Sequence, residues 1–330
     1  MTLAEIRGQD AVVARLGLIL ARGRLPHALI LAGPPGVGKR TTALALAQAR
    51  LCSEEPTRGC GRCPECAPVL SGTHPALFVE DLAAARRDRP AAATLSIEQM
   101  RRLRSALALT PVRGRAKIGL IEPADRLTVD AQNALLKTLE EPPGHATLLL
   151  VATSPRLLLA TIRSRCQTWN FAPLPEPIVA SLLAAEGQAP ERTAQAARLA
   201  EGSLERAREL LDEDLAAAAS SFGERLDEMS RTTIPELLDL AAELAGSRGA
   251  GRRERQLAHV TAMHVWGRRR LHEAALVHAS NRNPVTEAGL ARARRQLGLI
   301  HATSRALDRN ANVELAWDRL LLGLRNLQAR

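Results

Sequence analysis

A parallel α/β domain followed by an all-helical remainder is the fold class this sequence predicts. Strand-like apolar runs alternate with helical patterns over about the first 170 residues, the signature of a parallel sheet. A glycine-rich turn, Gly33-Pro34-Pro35-Gly36-Val37-Gly38-Lys39, joins the first such run to an Ala- and Leu-rich helix. Beyond Pro173, Pro175 and Pro177 only helical periodicity remains.

The elements follow in order. Ala28–Ala32 is a short apolar run that ends in the glycine-rich turn, and Ala43–Leu51 is the helix beyond it. Leu77–Val79 is a weaker strand pattern; Lys117–Ile121, Leu148–Ala152 and Cys166–Phe171 are stronger ones. Between them lies Asn133–Pro143, which reads Asn-Ala-Leu-Leu-Lys-Thr-Leu-Glu-Glu-Pro-Pro. Leu135, Leu136 and Leu139 share one side of a helix, with Lys137, Glu140 and Glu141 on the other. Pro142, Pro143 and Gly144 stop that helix. After the prolines, Ile178–Glu186 and Glu191–Leu211 make a small helical segment. Ile234–Leu244, Gln256–Ser280, Pro284–Asn310 and Asn312–Arg330 make a larger one. The expected division is 1–171, 172–212 and 213–330.

Composition bounds the rest. Hydrophobic residues make up 46% of the 330, so the chain folds. Aromatics are 2% and there is no Tyr, so Ala and Leu must fill the cores. The basic residues are nearly all Arg, with lysine only at Lys39, Lys117 and Lys137. The net charge of +10 invites a nucleic-acid reading. Clusters such as Arg252-Arg253 and Arg268-Arg269-Arg270 are interleaved with acids, and no aromatic platforms accompany them. They read either as solvated helix faces or as a sequence-blind attraction to phosphates. No apolar run approaches the roughly 20 residues of a membrane span. Met1–Asp10 lacks a signal-peptide core, so a reducing cytoplasm is expected.

Four of the five cysteines stand at Cys52, Cys60, Cys63 and Cys66. Two-residue gaps let neighbouring thiolates converge on one tetrahedral ion, and Gly59, Gly61 and Pro64 supply turns. A structural zinc site is the expected reading, against a disulfide pair or scattered buried cysteines. No position is left for water, so the site is not catalytic. Cys166 lies a hundred residues away and reads as an unrelated thiol.

The turn from Gly33 to Lys39 has the spacing of a phosphate loop, G-x4-G-K. Gly33, Gly36 and Gly38 let backbone N–H groups converge on an anion, and Lys39 could reach outer phosphates. A coincidental glycine-rich turn is the bland alternative. The next residue should be Ser or Thr, which holds Mg²⁺; here it is Arg40. Thr41 and Thr42 follow, each rotated by about 100° per residue, and cannot easily stand in.

The Asn133–Pro143 string, the cysteine module, Gly72-Thr73-His74-Pro75 and Ser164-Arg165-Cys166 together resemble the delta-prime family of bacterial DNA polymerase III clamp-loader subunits. These AAA+ proteins open sliding clamps onto DNA. The motifs cover about half the chain, and Gly8-Gln9 weakly matches the family's adenine-side motif. The resemblance implies an AAA+ domain, a helical lid and a helical collar. It implies a non-motor ring member that touches the delta subunit on one side and an ATP-binding gamma/tau subunit on the other. Sliding clamp and primed DNA are then met through the complex. It makes Arg165 an arginine finger for the neighbour's ATP and the four cysteines zinc ligands. Thr153 matches the sensor-1 place, and Gly202-Ser203-Leu204 the start of sensor 2. There the family's ATPases carry Arg next, whereas this chain has Glu205 and then Arg206.

A hydrolytic site of this kind needs two acids after the strand Lys117–Ile121. The chain offers Glu122-Pro123-Ala124-Asp125. Glu122 partly replaces the first acid; Pro123 cannot replace the second, and Asp125 is expected to cap the next element. Loss of a positioned base costs about 10² to 10⁴ in rate. The expectation is an ATPase fold without ATPase activity, with ATP or ADP held weakly or not at all. The rivals are a gamma/tau-type motor, a zinc-dependent nucleic-acid-binding protein and a generic phosphate-loop protein.

Overall fold

The computed structural model describes residues 2–88, 92–110, 116–211, 223–229, 232–246, 252–308 and 312–328. Two compact units divide the chain. Met1–Gln188 and Glu201–Arg206 form the first, and Ala189–Ala200 with Ala207–Arg330 the second.

The first unit is built on a five-stranded sheet of order β2-β3-β4-β1-β5. Its strands are β1 (Ala28–Ala32), β2 (Leu77–Asp81), β3 (Lys117–Glu122), β4 (Ala146–Ala152) and β5 (Gln167–Asn170). All four pairings are parallel, so each of the five expected strand runs joins one sheet. Every residue of β1 and β4 is buried, as a parallel sheet covered on both faces requires. Ala28, Ile30 and Ala32 pack with α5 (Ile97–Ala108) and α6 (Val129–Glu140). Leu29 and Leu31 alternate to the other face, where α2 (Lys39–Leu51) lies on β1, β3 and β4. The core is Ala, Leu, Ile and Val with few rings, as the composition requires.

Helix α6 contains the leucine string. It starts before Asn133, because the Thr128 hydroxyl accepts a hydrogen bond from Ala131 N at 3.2 Å and caps it. Leu135 and Leu139 are buried, Leu136 is half-buried, and Lys137 and Glu140 are exposed. The helix ends at Glu140, just ahead of Pro142.

The expected helix Glu191–Leu211 is in fact two, Pro190–Leu199 and Leu204–Leu211. They part at Glu201 and Gly202, with φ of 49° and 78°. A Cβ on Gly202 would stand 2.6 Å from both the N and the O of Leu174, so the chain turns there on a residue that has none. Among its described residues the second unit continues with the helices Ile234–Ala245, Arg252–Ser280, Pro284–Asp308 and Val313–Gln328. Its core holds Leu237, Leu240, Trp266, Ile300, Trp317 and Leu321. The expected boundary at 212/213, and the helix ends at Asn310 and Arg330, lie outside the described residues.

Candidate functional site

The glycine-rich turn with phosphate-loop spacing lies between β1 and α2, with Gly33, Gly36 and Gly38 at φ of 154°, 69° and 93°. The loop closes on itself. Lys39 is 6% exposed, and its Nζ donates to the carbonyls of Gly33 at 2.7 Å and Pro34 at 2.5 Å. Burial pushes the Lys39 ammonium below its ordinary pKa, a shift opposed by the carboxylates of Glu122, Asp125 and Glu205. Sequence reasoning aims Lys39 at outer phosphates; here it is aimed at its own loop. The segment Ser203–Glu205 covers the loop from outside. Leu204 N donates to Gly36 O at 3.0 Å, and a Cβ on Gly36 would meet Ser203 Oγ at 2.5 Å. Gln9 adds a brace, donating from Nε2 to Ala172 O at 2.7 Å and Val37 O at 3.3 Å.

Arg40 stands where a magnesium-binding hydroxyl belongs, and its Nη1 pairs with Glu122 Oε2 at 2.5 Å. The one acid at the end of β3 is thus engaged by the cation that replaces the metal's hydroxyl. The Thr42 hydroxyl donates to Gly38 O at 2.8 Å, one turn back along the helix, so it is not turned toward the loop opening. Pro123 brings no carboxylate. Asp125 departs from expectation: it caps nothing after itself. Its two oxygens accept from Thr153 N at 3.2 Å and Ser154 N at 3.4 Å, because the turn after β4 runs beside it and offers two free amides. Arg206, after Glu205, faces Glu201 at 3.6 Å.

Arg165 belongs to a different surface. It follows the short helix Ala160–Arg163, 37% exposed, with Nη2 3.0 Å from Glu140 Oε1 and Nη1 donating to Thr161 O at 3.1 Å. Glu140 closes the leucine string, so the string and the Ser-Arg-Cys triplet meet in space. Such an exposed pair is weak, and the guanidinium can leave it. Cys166 beside it is buried, and burial pushes its thiol up to about 12, which makes it inert.

The remaining cluster lies past the other end of α2. Cys52, Cys60, Cys63 and Cys66 place their sulfurs within 4.8 Å of one another, a group that can hold a metal ion. All five cysteines are free thiols. Sulfurs stand 3.8 Å apart between Cys52 and Cys63, 3.9 Å between Cys60 and Cys66, and 3.5 Å between Cys63 and Cys66. A tetrahedral ion with metal–sulfur bonds of about 2.3 Å has sulfur–sulfur edges of about 3.8 Å, so the donor set fits. Backbone N–H groups already point at the sulfurs: Glu55 and Cys60 donate to Cys52, and Cys63 to Cys60. Burial pushes the Cys63 thiol up, but hydrogen bonds from Ser53 and Cys66 outweigh it and hold Cys63 at about 6. Burial raises Cys66 to about 12. His74, of the Gly72–Pro75 motif, anchors the module. Its Nδ1 accepts from Ala76 N at 3.0 Å, so Nε2 carries the proton and donates to Glu65 Oε2 at 2.7 Å.

Three pairings here escape sequence reasoning: Arg40 with Glu122, Glu140 with Arg165, and Glu65 with His74. Each joins residues from separate elements. Only the odd Arg after Lys39 gives a signal in advance.

Comparison with known proteins addresses the family. A family model described as DNA polymerase III, delta subunit, matches residues 8–175. The chain is 40% identical over 168 residues to DNA polymerase III subunit delta' of Pseudomonas aeruginosa PAO1, covering 51% of this chain and 48% of that one. It is 34% identical over 166 residues to subunit delta' of Bacillus subtilis 168, covering 50% and 48%. It is also 37% identical over 223 residues to DNA polymerase III subunit tau of Escherichia coli K12, covering 66% and 33%. The chain therefore spans about half the length of the delta' relatives it matches. No helix among the described residues is long and apolar enough to cross a membrane. With the family model spanning half the chain and delta' relatives matching a similar share of it, the chain belongs to the DNA polymerase III delta-subunit family of clamp-loader proteins.

Proposed function

We propose that this chain is a delta-prime-like, non-motor subunit of the DNA polymerase III clamp loader, working in the cytoplasm. In this reading it helps load the sliding clamp onto primed DNA by scaffolding the ring with delta and gamma/tau subunits. Residues 1–171 serve as the AAA+ domain, 172–212 as lid and 213–330 as collar. The observation that carries the reading is the Arg40–Glu122 ion pair. A guanidinium fills the place of the metal's hydroxyl, and the acid that would hold the metal's water is neutralised by it. With Pro123 in the second acid's place, that position brings no carboxylate to polarise an attacking water. The loop of Gly33, Gly36, Gly38 and Lys39 keeps its frame but holds ATP or ADP weakly or not at all.

Arg165 is the residue that acts, and it acts in trans. A planar guanidinium released from Glu140 can bond two oxygens of a neighbour's transferring phosphoryl group, a contribution of about 10³ to 10⁵ in rate. Cys52, Cys60, Cys63 and Cys66 would hold Zn²⁺ as a structural ion, which would tie down the loop between α2 and the helix Cys66–Leu70.

A second reading is a gamma/tau-type motor, favoured by the 223 residues aligned with the tau subunit. Arg40, Pro123 and Glu205 oppose it. Mixing the chain with cognate delta and gamma/tau, then measuring DNA-stimulated phosphate release from the chain alone and from the complex, separates the two. The first reading expects release from the complex alone; release from the chain alone would establish the motor.

A further inference from the structure

Helix α2 is rich in Ala and Leu, and near its C-terminal end one polar residue, Gln48, is fully buried. Among the described residues neither its Nε2 nor its Oε1 reaches hydrogen-bond geometry, although its amide is close enough to the Cys66 sulfur to act on it. A buried primary amide without a partner is disfavoured, and mere filler at this position would be met by Leu or Met at no such cost.

Its surroundings show what it faces. The Gln48 carbonyl accepts from Cys52 N at 2.9 Å, so the residue is tied by its backbone to the first cysteine. Gly59 and Gly61 wrap its side chain: a Cβ on Gly59 would stand 3.2 Å from Gln48 Cγ, and one on Gly61 would stand 3.8 Å from Nε2. The amide lies against Cys66, the most buried of the four cysteines. Four thiolates around a divalent ion leave a charge of −2 in a site where three ligands are buried, and N–H donors must offset it. Backbone amides serve Cys52 and Cys60. Cys66 has the Gly61 N–H and, beside it, the side-chain amide of Gln48.

We propose that Gln48 is a positioning residue of the cysteine centre, donating its side-chain N–H to the Cys66 sulfur once a metal is bound. The proposal rests on the metal reading given above. Outer donors of this kind are worth about 10- to 100-fold in metal affinity. They also move the sulfur-to-metal charge-transfer band, because a hydrogen bond lowers the energy of the sulfur electrons.

The test uses the full chain titrated with Co²⁺ and with Zn²⁺ against a chromophoric chelator, as wild type, Gln48→Met and Gln48→Glu. Gln48→Met keeps length and apolar packing, so it retains the fold and removes only the amide. The expected result is one metal per chain throughout, affinity about 10- to 100-fold weaker in Gln48→Met, weaker still in Gln48→Glu, and a shifted Co²⁺–thiolate band. Wild-type affinity and an unmoved band in Gln48→Met would overturn the role of Gln48 while leaving the metal centre standing. A wild-type chain that binds neither ion would overturn the metal reading itself. Weaker affinity with an unmoved band would overturn the hydrogen bond and leave Gln48 a packing residue.

Discussion

Arg40→Ser restores the hydroxyl that a phosphate loop uses for Mg²⁺, and it should still not make this chain an ATPase. Two quantities follow from the structure. The first is stability. The Arg40–Glu122 pair is 46% and 23% exposed, so its contribution is that of a screened surface pair, about 0.2–1 kcal/mol. For a unit of this size, about 1 kcal/mol shifts Tm by about 2–4 °C, so Arg40→Ser should melt no more than about 4 °C below wild type. The second is chemistry. Pro123 leaves the attacking water without a base, which alone holds turnover about 10² to 10⁴ below that of a competent site. Lys39 remains bonded to the Gly33 and Pro34 carbonyls. Phosphate release by the purified variant, with and without primed DNA, should stay at background while the melting curve stays nearly unchanged. Turnover of about one per second from Arg40→Ser alone would refute the reasoning, because the missing carboxylate would then be dispensable.

Further outcomes concern the cysteine cluster and the turn at Gly202. Metal uptake by the cysteine cluster at neutral pH should release protons, because Cys66 remains a thiol up to about 12 and must lose its proton to bind. Cys63, held at about 6, gains a proton only below that value, so the loss of affinity with falling pH, already under way at neutral pH, should steepen below about 6; calorimetry in buffers of different ionisation enthalpy reads both effects. Gly202→Ala forces φ near 78° on a residue with a Cβ, 2.6 Å from the Leu174 backbone, and should cost at least about 1–3 kcal/mol, seen as a lowered Tm. Gly144→Ala, which meets nothing within 4 Å, should leave Tm where it is.

The local features of this chain were legible in advance and the long-range pairings were not. Strands β1, β3 and β4 could be read because each is a short, mainly apolar run, and the cysteine cluster because its ligands are close in sequence. Helix ends shifted by a few residues where a side-chain cap set them. Thr128 opens α6 five residues before the leucine string does. The break at Glu201–Gly202 escaped because helical periodicity continues across it, and only the backbone of Leu174 reveals why it is there. Arg40 and Glu122 are 82 residues apart, and nothing local announces that they pair. Asp125 was misread for the same reason: the amides it serves lie 28 and 29 residues on. Gln48 carries no local signal either, because its burial beside the cysteines exists only in the fold.

Arg165→Ala, placed in a reconstituted ring with cognate delta and gamma/tau, tests the central proposal most directly. The variant should assemble normally, since its ion pair with Glu140 is exposed and weak. DNA-stimulated ATP turnover by the ring should fall, at the served site, by about 10³ to 10⁵. Full turnover from an intact ring carrying Arg165→Ala would contradict a guanidinium acting in trans.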